Sequence, residues 1–524
     1  EGVRRLVESI GVVINRLVNR YTIAAAILAV VGIGWIRAHT GATAFYQQQA
    51  EVFDGGWAYA HAKALAHPMF EGRALGTQGM DAAAYHIAQQ FEALGVQSAG
   101  AAMTYFQQRN RSFEQLDAIP HLAIHDGGAD LTYHQDFVEY VSPDRNIGDA
   151  EGQVRFVALG KITREGARVL SYTSLERLDF SGDILLTTTP EDADLLRRVP
   201  CAGILIIADS SRPMDRRHTL SMRDPHYLAF GTGRVQGRDI PRLWITEATA
   251  RRLLQDADYS VEDLRAQEEK LELNEVFELP TRVSVSMELQ GTVKEREPVR
   301  HVLGTWTGLS DSRYGGLNDE MIVVMAQYDT PPPTPDGSYY PGANDNASGV
   351  ATMLEIVRAM KESGYQPYRT FLFVAYAGEG QEGGEWVYPP DTERFLEAKK
   401  GFADNFDIEA VVDLRGVGGG EGNGLIISAG GSMRLADLLQ ESANQMGVKA
   451  ERGGEQVDIS IVFEEKSRYE RGQEAPKVGI HWDGWEATSC RPEDTVANLS
   501  EEKLERAGRV VSLALMTLGR ERQY

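Results

Sequence analysis

The sequence predicts an α/β sandwich that is preceded by a membrane helix and interrupted by a strand-rich insertion. Three observations predict it. Apolar strand-like runs at 320–326, 370–376 and 410–414 surround a helical segment at 348–360. Continuous apolar strands of this kind belong to a sheet covered on both faces. Between 136 and 279 the texture changes to short strand-like runs separated by turns. Residues 22–36 are apolar and uncharged.

The chain has 524 residues, enough for two or three domains that each bury a core. Hydrophobic content of 42% and charged content of 25% are ordinary for a globular protein. Lys and Arg number 53 against 76 Asp and Glu, a net charge of −23. That balance argues against a nucleic-acid partner, because phosphate binding requires a basic face. Cys201 and Cys490 are the only cysteines, so a disulfide framework is excluded as the source of stability. Cys201 reads as a small apolar residue within a buried strand.

Residues 1–20 read as a basic cytoplasmic segment, with Arg4, Arg5, Arg16 and Arg20, and residues 21–40 as a membrane anchor. Tyr21 and Trp35 lie near the ends of the apolar run, where interfacial aromatics prefer to sit. The run is short of the roughly 20 residues a spanning helix needs, so Leu17 and Val18 are expected to enter the bilayer too. Arg37 is the only basic residue just after the run, which places the large domain outside the cytoplasm. A cleaved signal peptide ending at Ala42-Thr-Ala44 is the competing reading. The long segment before the apolar run favours a retained anchor.

Residues 41–135 form the first part of the main domain. Apolar residues at helical spacing mark a helix at 82–94, stopped by Gly95. Residues 136–279 form the insertion, with strands expected at 153–159, 182–187, 202–207 and 240–245 and a helix at 247–254. Residues 280–524 complete the main domain and close on a helix at 500–518. The site is expected at the strand ends.

Six runs carry a resemblance. They are Glu71-Gly-Arg-Ala-Leu-Gly-Thr-Gln-Gly79, Met325-Ala-Gln-Tyr-Asp-Thr330 with Pro341-Gly-Ala-Asn-Asp-Asn-Ala-Ser-Gly349, Ala377-Gly-Glu-Gly-Gln-Glu382, Val411-Val-Asp-Leu-Arg-Gly416 and Ser489-Cys-Arg-Pro-Glu-Asp-Thr495. Together they resemble the dizinc aminopeptidases, whose relatives include glutamate carboxypeptidase, transferrin receptor and nicastrin. The resemblance implies a mixed central sheet flanked by helices, and it makes the insertion similar to a protease-associated domain.

It also implies a ligand set. Asp345 falls on the carboxylate that bridges the two metals, Asp413 on a terminal ligand and Glu379 on the general base. Three other ligand positions are substituted. Gln327 stands where the family has His, beside Asp329; Gly380 stands for a Glu, and Cys490 for a His. The first zinc would see Gln327, Asp345 and Asp413, and the second Asp345, Gly380 and Cys490. An amide oxygen is a poor zinc ligand beside imidazole, and glycine has no donor. Glu382 could replace Gly380 only if the strand end shifted.

Loss of the dimetal site is therefore expected, with no resident cofactor. The alternative is one zinc on Asp345, Asp413 and Cys490, or another divalent ion on an oxygen-only set. Without metal, Asp329, Asp345, Glu379 and Asp413 would repel one another. Arg415, two residues past Asp413 and so on the same strand face, and Arg491, next to Cys490, are the candidates to replace the lost positive charge. His481 is a minor candidate ligand; its commoner fate is a satisfied strand-end histidine.

The functional expectation is a membrane-anchored extracytoplasmic protein that no longer hydrolyses peptides. It would serve as a scaffold or accessory subunit among other membrane proteins, with a peptide as a further possible ligand. The alternative is an active metallo-aminopeptidase with an altered site, in which Glu379 takes a proton from metal-bound water.

Overall fold

The structure is a computed structural model. It describes residues 42–522 except 126–130, 141–144, 161, 165–166, 170–174, 209–228, 232–238, 311–316, 334, 336, 338, 379, 383–384, 388–406, 430–432 and 454–475. The anchor expected at 21–40 lies outside the described residues. Among those described, no helix is long and apolar enough to cross a membrane.

In chain order the main domain comprises α1 (Ala42–Ala50), α2 (Gly55–Leu65), α3 (Gln78–Leu94), β1 (Phe106–Leu116), β2 (Gly291–Trp306), β3 (Glu320–Gln327), α4 (Ser348–Glu362), β4 (Thr370–Tyr376), β5 (Asp407–Leu414), β6 (Leu425–Ala429), α5 (Met433–Gln445), β7 (Lys477–Trp482) and α6 (Glu501–Arg520). Side-chain caps start several helices. Asp54 accepts from the amides of Gly56 and Trp57, Thr77 from Met80 and Ser500 from Lys503. Gly95, at φ 79°, ends α3 in the left-handed conformation that glycine adopts without a Cβ penalty.

The main sheet runs Ala229–Gly231, β1, β2, β4, β3, β5, β7, β6, Ala450–Arg452. Its centre, β4-β3-β5-β7, is parallel, and antiparallel pairs flank it at β2–β4 and β7–β6. The sheet is therefore mixed. Alternate residues divide its two faces. Ile322, Val324, Ala326, Phe371, Phe373, Val412 and Leu414 pack into the large core with α4 and α6. Met321, Val323, Met325, Leu372, Val374, Tyr376 and Val411 form a second buried cluster on the opposite face.

The insertion forms its own seven-stranded sheet, in the order His121–Ile124, Val276–Leu289, Gly148–Leu159, Phe180–Thr187, Cys201–Ile207, Arg242–Ile245, Phe137–Glu139. Its four central strands from Gly148–Leu159 to Arg242–Ile245 are parallel. This sheet draws on 121–289, wider than the 136–279 read from texture. The reason is local: only Gln290 separates the small-sheet strand Val276–Leu289 from β2 of the main sheet. Strand texture runs unbroken across the change of sheet, so composition cannot mark it.

A buried polar joint ties the two sheets together. Glu114 on β1 accepts from the backbone amide of Asn146 at 2.6 Å. Asn146 donates to the Tyr140 and Arg242 carbonyls and accepts from the Arg242 amide at 2.7 Å. Burial drives the Glu114 carboxyl up to about 7, against the pull of the Asn146 amide and the charge of Arg145.

Candidate active site

The site lies at the C-terminal ends of β3, β4 and β5, where ligands collect in open α/β sheets. Side-chain alternation fixes which residues can meet there. Gln327 and Asp329 follow Met325, Asp413 and Arg415 follow Val411, and Tyr376 follows Val374, so all five belong to the face opposite α4 and α6.

The turn that carries Asp345 is fastened by its neighbours. Gly342 takes φ 55°, and a Cβ there would sit 2.4 Å from Thr330 Cγ2 and 2.7 Å from Arg73 Nη2. Asn344 donates to the Gly419 carbonyl and accepts from the Gly418 amide. Asn346 donates to the carbonyls of Gln327 and Leu414 and accepts from the amides of Gly349 and Gly416. The two asparagines thus staple the turn to the ends of β3 and β5. The backbone amides of Asn344 and Asp345 donate to the two carboxylate oxygens of Asp494, at 2.9 and 2.8 Å. Burial still lifts the Asp494 carboxyl to about 7.

Beneath this turn lies Arg73, fully buried. Its guanidinium donates to the carbonyls of Tyr328, Leu65, Pro341 and Gly342. Burial lowers it to about 10, and the attraction of Asp494, Asp329 and Asp345 opposes that fall. Arg73 and Asp494 are the residues that sequence reasoning left out. Both sit inside the runs that carry the family resemblance, but nothing in their spacing signals a buried cation or an anion that binds two amides.

At the ligand positions the arrangement is different. Gln327 Nε2 donates to Asp329 Oδ1 at 3.1 Å, and Gln327 Oε1 accepts from Arg415 Nη2 at 2.8 Å. Arg415 also reaches the Tyr376 hydroxyl at 3.4 Å, and that hydroxyl bonds the Asp413 carboxylate. Asp329 accepts in addition from the Gly378 amide at 2.8 Å. One polar chain therefore runs from Asp329 through Gln327, Arg415 and Tyr376 to Asp413. Burial raises the Asp413 carboxyl to about 6; Arg415 pulls it down and Asp345 pushes it up. Asp329 also rises to about 6, chiefly by burial. Asp413 Oδ1 is buried without a hydrogen-bond partner among the described residues.

Ser489 donates to Asp345 Oδ2, and Cys490 Sγ lies 4.0 Å from the same oxygen. Cys490 therefore does reach the bridging position, from a left-handed backbone at φ 52°. Of the two candidate arginines, Arg415 joins the cluster while Arg491 is exposed at the surface. Gly380 opens a short hairpin, Gly380–Glu382 with Glu385–Val387. The base position, Glu379, lies outside the described residues. His481 is buried on β7 with Nδ1 3.2 Å from its neighbour's carbonyl, that of Trp482. Burial lowers its pKa, and the charge of Arg415 adds to that fall.

These donors do not fit a two-zinc centre. Gln327 has both amide atoms engaged, one of them by a cation, and Gly380 offers nothing. Arg415 brings a positive charge to the point where a metal would need an anionic or neutral donor. Among the described residues, no three His, Cys, Asp or Glu side chains gather in metal-binding geometry. Among the described residues, only Cys490 and Asp345 of the ligand positions come close together, with Sγ 4.0 Å from Oδ2.

Peptidase family M28 matches residues 303–515. Three solved structures share the fold over nearly the whole chain. An aminopeptidase from Aneurinibacillus sp. strain AM-1 superposes with a TM-score of 0.60 at 18% identity, over 91% of this chain and 97% of that one. A peptidase M28 precursor from Shewanella amazonensis SB2B gives 0.54 at 14% identity, over 92% and 97%. BSAP, a zinc aminopeptidase from Bacillus subtilis, gives 0.51 at 16% identity, over 90% and 97%. Residues 303–515 thus match peptidase family M28, and the chain as a whole shares the fold of these solved aminopeptidase and peptidase structures.

Proposed function

We propose that this protein keeps the aminopeptidase fold without dizinc hydrolysis and acts as a membrane-anchored, extracytoplasmic scaffold or accessory subunit. One observation carries the reading: Arg415 is hydrogen-bonded to Gln327, the residue at a ligand position. A guanidinium beside Asp413 supplies by side chain the positive charge that metal would otherwise supply. Lewis-acid polarisation of a scissile carbonyl, or ionisation of water near neutral pH, is what a zinc provides when bound. An arginine, always charged in a protein, can do neither. The insertion, read as a protease-associated-like module, and the neighbouring cleft would then serve recognition of other membrane subunits or of a peptide.

The second reading is a peptidase with a single metal. The unpartnered Asp413 Oδ1 favours it, because a buried carboxylate oxygen with no donor is what a ligand looks like before its ion. Zinc content and aminoacyl-substrate hydrolysis separate the two readings. No Glu379-dependent hydrolysis supports the first. Bound zinc with hydrolysis lost in Glu379→Gln supports the second.

A further inference from the structure

Away from the cleft residues, two histidines lie close together on successive helices. His61 on α2 and His86 on α3 have ring centroids 6.2 Å apart, with planes inclined at 37°. Trp57 stacks on His61 at 3.7 Å, and Phe70 lies 5.9 Å from His86. The surroundings are apolar and aromatic. His61 Nδ1 and His86 Nε2 are both buried, and neither has a hydrogen-bond partner among the described residues.

A buried nitrogen left without a partner is costly, and two close together mark a place for a third party. We propose that His61 and His86 form a two-nitrogen site for copper(I). Imidazole suits copper and zinc. The spacing fits the geometry: two metal–nitrogen bonds of about 2.0 Å, with half a ring on either side, span roughly 6 Å when nearly collinear. That near-linear, two-coordinate arrangement suits copper(I), whereas zinc prefers four ligands. Burial holds both rings below the ordinary histidine range, with His61 at about 4. Both are then neutral at physiological pH, with lone pairs available. The loop between α2 and α3 carries Arg73, so an ion here would brace the segment that underlies Asp345.

The test uses the full chain in a Cys201→Ser, Cys490→Ser background, which removes thiol ligands. Copper(I) is titrated anaerobically against a chromogenic chelator, with zinc(II) in parallel. One equivalent of copper(I) is expected. His61→Phe or His86→Phe should each weaken its affinity by more than about tenfold, the scale on which even outer-shell partners act. No uptake, as for a pair bridged only by water, overturns the proposal. So does uptake unchanged in both variants, or uptake of zinc without copper(I). Should a phenylalanine variant fail to fold, the imidazole ¹⁵N resonances of His61 and His86 decide. Both must shift on titration, and two unmoved resonances overturn the site.

Discussion

The floor of the cleft and its rim are built to different standards. On the floor, Asn344, Asn346, Asp494 and Arg73 are tied into backbone groups by many hydrogen bonds. On the rim, the ligand positions hold Gln327, Gly380 and Cys490, and their polar contacts turn inward to Arg415 and Ser489. The floor fixes where Asp345 projects, whatever binds above it. The rim decides what can bind. On the proposed function, the chain keeps the floor of a peptidase cleft under a changed rim.

Mutations on the two sides should differ accordingly. Arg73→Met is expected to cost the most, about 3–5 kcal/mol of unfolding free energy. It strands four buried carbonyls and removes the charge opposite Asp494, Asp329 and Asp345. Denaturant unfolding measures this, and a cost near zero would mean the floor is not what holds the turn. Asn346→Ala should follow at about 2 kcal/mol, because the amides of Gly349 and Gly416 lose their acceptor. Arg415→Ala, on the rim, should change stability by less than about 1 kcal/mol, since Arg415 is partly exposed and its contacts are to polar side chains. A large loss there would erase the distinction between floor and rim.

A reference from outside the cleft is read as a pH slope rather than as a single stability change. Glu114 has its carboxyl raised from 4.5 to about 7 by burial between the two sheets. The folded state then holds this proton more tightly than the unfolded state. The favourable term is present in full below about 4.5 and is lost as pH rises from there through about 7. Glu114→Gln should flatten that part of the stability–pH profile. An unchanged slope would show that Glu114 does not couple the sheets to pH.

The strand ends and the turn were readable because the chemistry there is local. Gln327, Asp345 and Asp413 each sit at a fixed offset from an apolar strand or a turn string, and period-two alternation put Arg415 on the face of Asp413. The contacts of Arg73 were not readable: its partners lie 8 residues away at Leu65 but 255 to 269 away at Tyr328, Pro341 and Gly342. Asp494 reads as one more acidic residue in a polar loop until the fold brings it 2.8 Å from an amide 149 positions earlier. The limits of the insertion were blurred for another reason, since a strand of either sheet looks the same on both sides of Gln290. His61 and His86 carried no signal at all, because a pair of histidines on two helices has meaning only once the helices are packed.

The proposed function requires that the rim hold no two-metal centre. Zinc stoichiometry measures it most directly, on chain dialysed after zinc saturation, in a His61→Phe, His86→Phe background so that only the cleft is counted. Fewer than two equivalents, with no Glu379-dependent hydrolysis of an aminoacyl substrate, is the expected result. Restoring Gln327→His, Gly380→Glu and Cys490→His together with Arg415→Ala should then raise the count. Two equivalents in the unrestored chain, with hydrolysis abolished by Glu379→Gln, would contradict it.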